Sequence, residues 1–347
     1  MKETNLFIST CLILCTLCFS SGCLSAGNKV SATKSDLELN SEPLIASKII
    51  KSFENYDVLL YFNPSIFPGD PFFIKTSFIP KTKDGKKLFS KEPEVSACYW
   101  SNANPEKALR KTTLYAVPGI KTKTFIGAMP SSTYLESAEY RTTVSWKFEN
   151  GKTETAEYYV KVSPKEFVSE TIYLDARNTA IRTDDSELRK TQIEKLNIIL
   201  SARNPDSIYE TEGFIYPTTA TRRTSFFADR RIFAYSNGKS ATSLHYGIDW
   251  GVPEGSLVSA CGKGKVVMAE NRITTGWSVC IEHLPGLYSL YYHMNKLDVT
   301  EGQIVQKGER LGESGCTGLA TGPHIHWEVR LNMEAVNPEY FTINGMQ

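Results

Sequence analysis

From residue 56 onward the chain breaks into short segments in which apolar and polar residues alternate, the period of a half-buried strand. "YDVLLYF", "FFIKTSFI", "VSACYW" and "TLYAVPGI" are brief, aromatic and β-branched, and turn residues such as "PGDP" separate them. In "YRTTVSWKFENGKTETAEYYVKV", Val144, Trp146 and Phe148 alternate with polar residues, and Asn150-Gly151 supplies the positive φ of a tight turn. Residues 50–165 therefore predict an Ig-like β-sandwich. After residue 210, "GSLVSACGKGKVVMAE", "WSVCIEH", "LYSLYYHM", "VTEGQIVQKGERLGESG" and "PHIHWEVRL" predict a second, antiparallel β unit. The chain is thus expected to be mainly β.

One stretch changes period. "TDDSELRKTQIEKLNIILSARNP" opens with Asp184 three residues before Glu187, a capping pattern, and carries Leu188, Ile193, Leu196, Ile199 and Leu200 at helical spacing before Pro205. It predicts a packed helix in a connector over residues 166–209.

The first residues read differently again. The apolar run from Leu6 to Phe19 is short for a bilayer span and reads as the core of an export signal. "SSGC" resembles a bacterial lipobox in which Cys23 would be lipidated, with Ser20 departing from the usual Leu. Residues 1–23 are thus expected to be an export and lipoprotein signal, and the polar residues 24–49 a flexible tether. The expected location is the cell envelope or periplasm, with the membrane reached through the lipid.

Charge and cysteine content narrow the picture. With 39 Lys and Arg against 38 Asp and Glu in 347 residues, no basic field exists to recruit nucleic acid. Four of the eight cysteines fall in the first 23 residues. The others, Cys98, Cys261, Cys280 and Cys316, lack metal-knuckle spacing and read as buried small residues, a disulfide being open in an oxidising compartment.

All five histidines lie in the last third. "HYGIDW" sets His245 and Asp249 four apart, so on one strand they would share a face. In "PHIHWEVRL", His324, His326, Glu328 and Arg330 would line one open face, and Ile325, Trp327, Val329 and Leu331 the buried one. A catalytic zinc site needs three nitrogen or oxygen ligands and an open position for water. His245, Asp249 and one of His324 and His326 meet that count.

"HYGIDWGVPEGSLVSACGKGKVVMAE", "LYSLYYHM", "GQIVQKGERLGESGCTGLATGPHIHWEVRLN" and "AVNP" together resemble the lysostaphin/LytM-type zinc metallopeptidases that cleave peptidoglycan cross-bridges. The preceding β unit and helix are similar to the upstream region of exported, Gram-negative-type members. The resemblance implies a zinc peptidase domain over residues 210–347 that hydrolyses stem-peptide cross-links. It implies that His245, Asp249 and His326 ligate one zinc per chain and that His293 and His324 are the catalytic pair. Two positions depart from the family's pattern: Tyr292 is bulkier than the usual small residue, and Ala228 in "SFFADRR" replaces a usual glycine, which questions the local turn. His283 reads as structural and Glu328 as a carboxylate beside the metal rather than a general base. The rival reading is a non-catalytic regulator of cell-wall amidases or of the division machinery, relatives of that kind having lost ligands. Here every ligand is present. A likeness of "GKGKVV" to lipoyl-carrier motifs lacks the acceptor lysine at a hairpin tip and reads as shared hairpin geometry.

Overall fold

A computed structural model describes residues 47–346. The proposed Cys23 lipidation, the signal and most of the tether lie outside these residues. Among them, no helix is long and apolar enough to cross a membrane.

The upstream unit is built from the alternation the sequence displays. Tyr56–Phe62 buries every second residue, as does the second half of Thr153–Val162. The strands Ser47–Ser52, Tyr56–Phe62, Phe72–Pro80 and Lys123–Met129 pair in that order, and Ala108–Ala116 then joins them to Glu94–Trp100, Glu139–Lys147, Thr153–Val162 and Ser65–Ile66. Ala108–Ala116 pairs with Glu94–Trp100 through Leu114 and with Lys123–Met129 at Tyr115 and Ala116, so the strand passes from one half of the sheet to the other and lets it fold back on itself. Its two halves meet ring to ring: Phe72 stacks on Tyr99 at 4.2 Å, and Phe78 meets Trp146 edge-on at 5.6 Å. Trp146 is fully buried, yet its indole N–H is satisfied by the Tyr56 hydroxyl at 3.1 Å. The predicted hairpin is present, with Gly151 at φ +82° in its turn.

The connector holds more than the one predicted helix. It begins with a strand, Ser169–Tyr173, that pairs in parallel with Arg230–Ala234 of the downstream unit. A first helix, Ala176–Thr183, is capped by Asp175, and the second, Glu187–Ser201, by Ser186 rather than Asp184. Asp184 instead accepts the Ser186 N–H at 2.8 Å and so orients the cap. Only part of the predicted apolar stripe is covered. Leu196, Ile199 and Leu200 pack on Met268, Cys280, Tyr288 and Leu290, while Leu188, Ile193 and Ile198 face solvent.

Downstream, an antiparallel sheet runs in the order Arg223–Ser225, Gly247–Trp250, Ile325–Leu331, Leu287–Leu297, Gly276–Leu284, Gly264–Arg272, Ile304–Val305. Trp250, Trp327, Tyr291 and Ile281 fill its interior. One continuous apolar cluster joins this unit to the upstream one, with Phe73 packed edge-on against Phe341 and Arg110 gripping Glu334 through two hydrogen bonds of 3.0 Å. The seam between Phe73, Thr112, Leu284, Pro285 and Leu331 leaves about 10 Å³. That is at the lower limit of the roughly 10–15 Å³ a single water needs.

Candidate metal centre

Antiparallel pairing of Gly247–Trp250 with Ile325–Leu331 places Asp249 directly opposite His326. Asp249 Oδ1 lies 2.8 Å from His326 Nδ1, and His245 Nε2 lies 3.1 Å from that oxygen and 3.0 Å from that nitrogen. Three lone-pair atoms at the corners of so small a triangle fit one cation with ligand bonds near ~2 Å. Two imidazoles and one carboxylate suit zinc better than the all-oxygen shells that hard cations require. Among the described residues this is the one metal-competent group of histidine, cysteine and acidic side chains.

His245 is not on the strand, contrary to the sequence expectation. It sits between Ser240–Leu244 and Gly247–Trp250, where Ala228 N–H donates to its carbonyl at 2.7 Å and its own N–H donates to the Asp229 carbonyl at 2.9 Å. The turn questioned on account of Ala228 is therefore intact, with Ala228 itself held at φ +66°. His245 Nδ1 donates to the Phe226 carbonyl at 2.8 Å, which leaves Nε2 to the cluster. Gly247 has a steric reason: a Cβ there would stand 2.3 Å from the Trp327 carbonyl and 2.8 Å from the His326 ring.

The polar face of Ile325–Leu331 is also not open as predicted. His326 and Glu328 are both buried, because neighbouring side chains cover that face. His326 Nε2 lies 3.3 Å from the Glu328 carboxylate, which Arg330 also contacts, and Tyr292 stacks on the ring with 6° between planes. Glu328 thereby selects the tautomer that offers Nδ1 to the cluster. Burial alone would lower the His326 pKa, but its hydrogen bonds to Asp249 and Glu328 push it up to about 9. For Asp249, burial is outweighed by the His245 and His326 imidazoles, which hold it well below the usual carboxylate range. A dication would replace the proton shared there.

His293 and His324 stand beside this triangle with ring centroids 4.7 Å apart. His293 Nδ1 donates to the Thr317 carbonyl and His324 Nδ1 to the Gly322 carbonyl, each at 2.8 Å, so both present Nε2. His324 Nε2 comes within 3.9 Å of Asp249 Oδ1. His293 adopts φ +63° inside Leu287–Leu297, and its N–H leaves the ladder to donate to the Thr275 carbonyl at 2.8 Å. That left-handed geometry costs about 1–2 kcal/mol and turns the ring out of the pleat. Burial, reinforced by His324 and His326, pushes the His293 pKa down to about 3. It is therefore neutral at physiological pH.

His283 lies apart, fully buried, with Nδ1 donating to the Lys263 carbonyl and Nε2 2.7 Å from the Ser289 hydroxyl. The structural role expected for it fits this network. Cys98, Cys261, Cys280 and Cys316 are all free thiols, so no disulfide forms among the described residues.

Residues 243–338, the segment that contains the triangle and both neighbouring histidines, match the model of Peptidase family M23. The chain carries an M23 metallopeptidase domain, as the lysostaphin/LytM resemblance implied. Over 95 residues it is 40% identical to the DD-carboxypeptidase/endopeptidase Mpg of Neisseria meningitidis, covering 27% of this chain and 22% of that protein. Over 123 residues it is 37% identical to the peptidoglycan DD-endopeptidase ShyA of Vibrio cholerae, covering 35% and 28%. The match thus spans about a quarter of these relatives' lengths. A crystal structure of a putative peptidase M23 from Pseudomonas aeruginosa aligns over 81% of this chain and 96% of its own, with a TM-score of 0.50 and 20% identity. That likeness bears on the fold, including the two-unit arrangement.

Proposed function

We propose that the protein is a zinc-dependent endopeptidase that hydrolyses peptide cross-links of bacterial peptidoglycan. The observation that carries this reading is the Nε2–Oδ1–Nδ1 triangle of His245, Asp249 and His326 with the Nε2 atoms of His293 and His324 turned beside it, inside an M23 domain. A zinc ion held there supplies Lewis acidity to a water and to the scissile carbonyl. His324, oriented by its Nδ1 hydrogen bond to the Gly322 carbonyl, presents Nε2 to accept a proton from the attacking water and return it to the leaving amine. His293, held neutral by burial, is placed to hydrogen-bond the same water or the oxygen on which charge develops. The enclosed setting strengthens both interactions. The endopeptidase names of the Mpg and ShyA relatives support peptidoglycan as substrate.

No feature of the site favours the rival regulatory reading, since all five side chains are present and oriented. Export with a lipid at Cys23 is part of the same proposal, supported by the Leu6 to Phe19 run and the "SSGC" sequence. The test is incubation of the zinc-loaded full chain with intact cross-linked muropeptides, products being identified by mass. Cross-linked dimers should convert to monomers with gain of one water, and a chelator should stop the reaction. Dimers left intact by a fully zinc-loaded protein would refute the peptidase reading.

A further inference from the structure

Asp249 offers only one of its two carboxylate oxygens to the triangle. The other, Oδ2, accepts a hydrogen bond of 2.9 Å from Arg231 Nη2, and Arg231 Nε donates at 3.0 Å to Glu170 Oε1. The Ser225 hydroxyl lies 3.2 Å from the same Glu170 oxygen while making its shorter hydrogen bond, 2.8 Å, to Asp229 Oδ2. These residues come from three separate stretches of sequence, yet the sheet sets their register: Glu170 pairs directly with Arg231 across the parallel strands Ser169–Tyr173 and Arg230–Ala234. The Arg231 side chain retains 14% of its exposure and that of Asp249 only 9%. Screening by water is therefore slight.

A carboxylate free to rotate can chelate a cation through both oxygens or turn away from it. Holding Oδ2 by a charged, two-pronged donor removes both alternatives. A lone guanidinium next to a dication site would repel the ion. Glu170 offsets that charge, so the pair exerts its positioning effect with little net field.

We infer that Arg231, braced by Glu170, is the positioning residue that holds Asp249 in its one-oxygen metal-binding orientation, which makes the connector strand a working part of the metal centre. The inference rests on the metal-site reading above, and its test separates the two.

The zinc-stripped full chain is titrated with zinc against a chromogenic chelator, below the thermal midpoint of each apo-protein. Arg231→Ala should raise the zinc dissociation constant about 10- to 100-fold, the usual worth of a group that orients a ligand. Arg231→Lys should not restore it, because an ammonium cannot span two carboxylates as the fork does. Glu170→Gln, which keeps an acceptor but loses the balancing charge, should weaken zinc by a smaller factor, up to about tenfold. A merely structural role would lower the apo midpoint without changing affinity in the folded protein. Wild-type affinity in Arg231→Ala, or full rescue by Arg231→Lys, overturns the inference, and wild-type affinity in Glu170→Gln overturns the bracing. If Arg231→Ala does not fold, the Lys and Gln variants decide the matter. Wild-type protein that binds no zinc would instead sink the metal-site reading.

Discussion

Asp249 and His326 face each other across two antiparallel strands, with Oδ1 2.8 Å from Nδ1. Because the register itself creates the pair, either side chain is useless to a cation without the other. Elemental analysis should find close to one zinc per wild-type chain and a value near zero for Asp249→Ala, His326→Ala and His245→Ala, with activity lost in step. Full zinc in any of the three would remove that residue from the ligand set.

The two histidines of "HIH" should separate cleanly. His324→Ala leaves the triangle intact, so zinc should stay near the wild-type level while turnover of cross-linked muropeptides falls by about two to four orders of magnitude. His293→Ala should likewise retain zinc and lose activity. Loss of metal from His324→Ala with metal kept in His326→Ala would mean the strand is read in the wrong register.

Tyr292 stacks on the His326 ring and belongs to the cluster of Met268, Cys280, Tyr288 and Leu290. Truncation to Ala opens a cavity against a ligand ring, and urea unfolding should show a loss of about 3–5 kcal/mol. Tyr292→Phe keeps the stack and should cost less than about 1.5 kcal/mol. Equal losses in the two variants would place the contribution in the hydroxyl rather than the ring.

Acid should weaken the fold through His283, whose pKa burial pushes down to about 4. The folded state then binds fewer protons than the unfolded chain between the unfolded value near ~6.5 and the folded value, so stability rises with pH across that window. Contributions from this group are fully present above the unfolded pKa and are lost as pH falls through the window, by on the order of 3 kcal/mol. His283→Asn should flatten part of the slope of unfolding free energy between those pH values; an unchanged slope would contradict the assignment. Buried His293 accounts for a share of what remains.

Strand-forming segments, and the candidacy of the five side chains the structure brings together, were legible because they rest on local signals: alternation, turn glycines, and histidines at fixed short spacing. The Ala108–Ala116 strand shared between two layers was not, since its change of partner between Leu114 and Tyr115 leaves no mark in its own residues. His293's left-handed backbone is invisible in "LYSLYYHM", because its N–H is taken by the Thr275 carbonyl from the turn between Gly264–Arg272 and Gly276–Leu284. Arg231 and Glu170 lie 61 residues apart and meet only because a connector strand joins the sheet in parallel. The apolar stripe of Glu187–Ser201 predicted a packed helix, but the molecule supplies a partner surface only for Leu196, Ile199 and Leu200 and leaves Leu188 and Ile193 exposed.

The apolar cluster shared by the two units has a consequence for how the chain comes apart. Before they could separate, Phe73 would have to leave Phe341 and Arg110 would have to release Glu334. Apolar surface exposed by that parting costs about 25 cal/mol per Å². Loss of structure in one unit should therefore carry the other with it, as a single cooperative event.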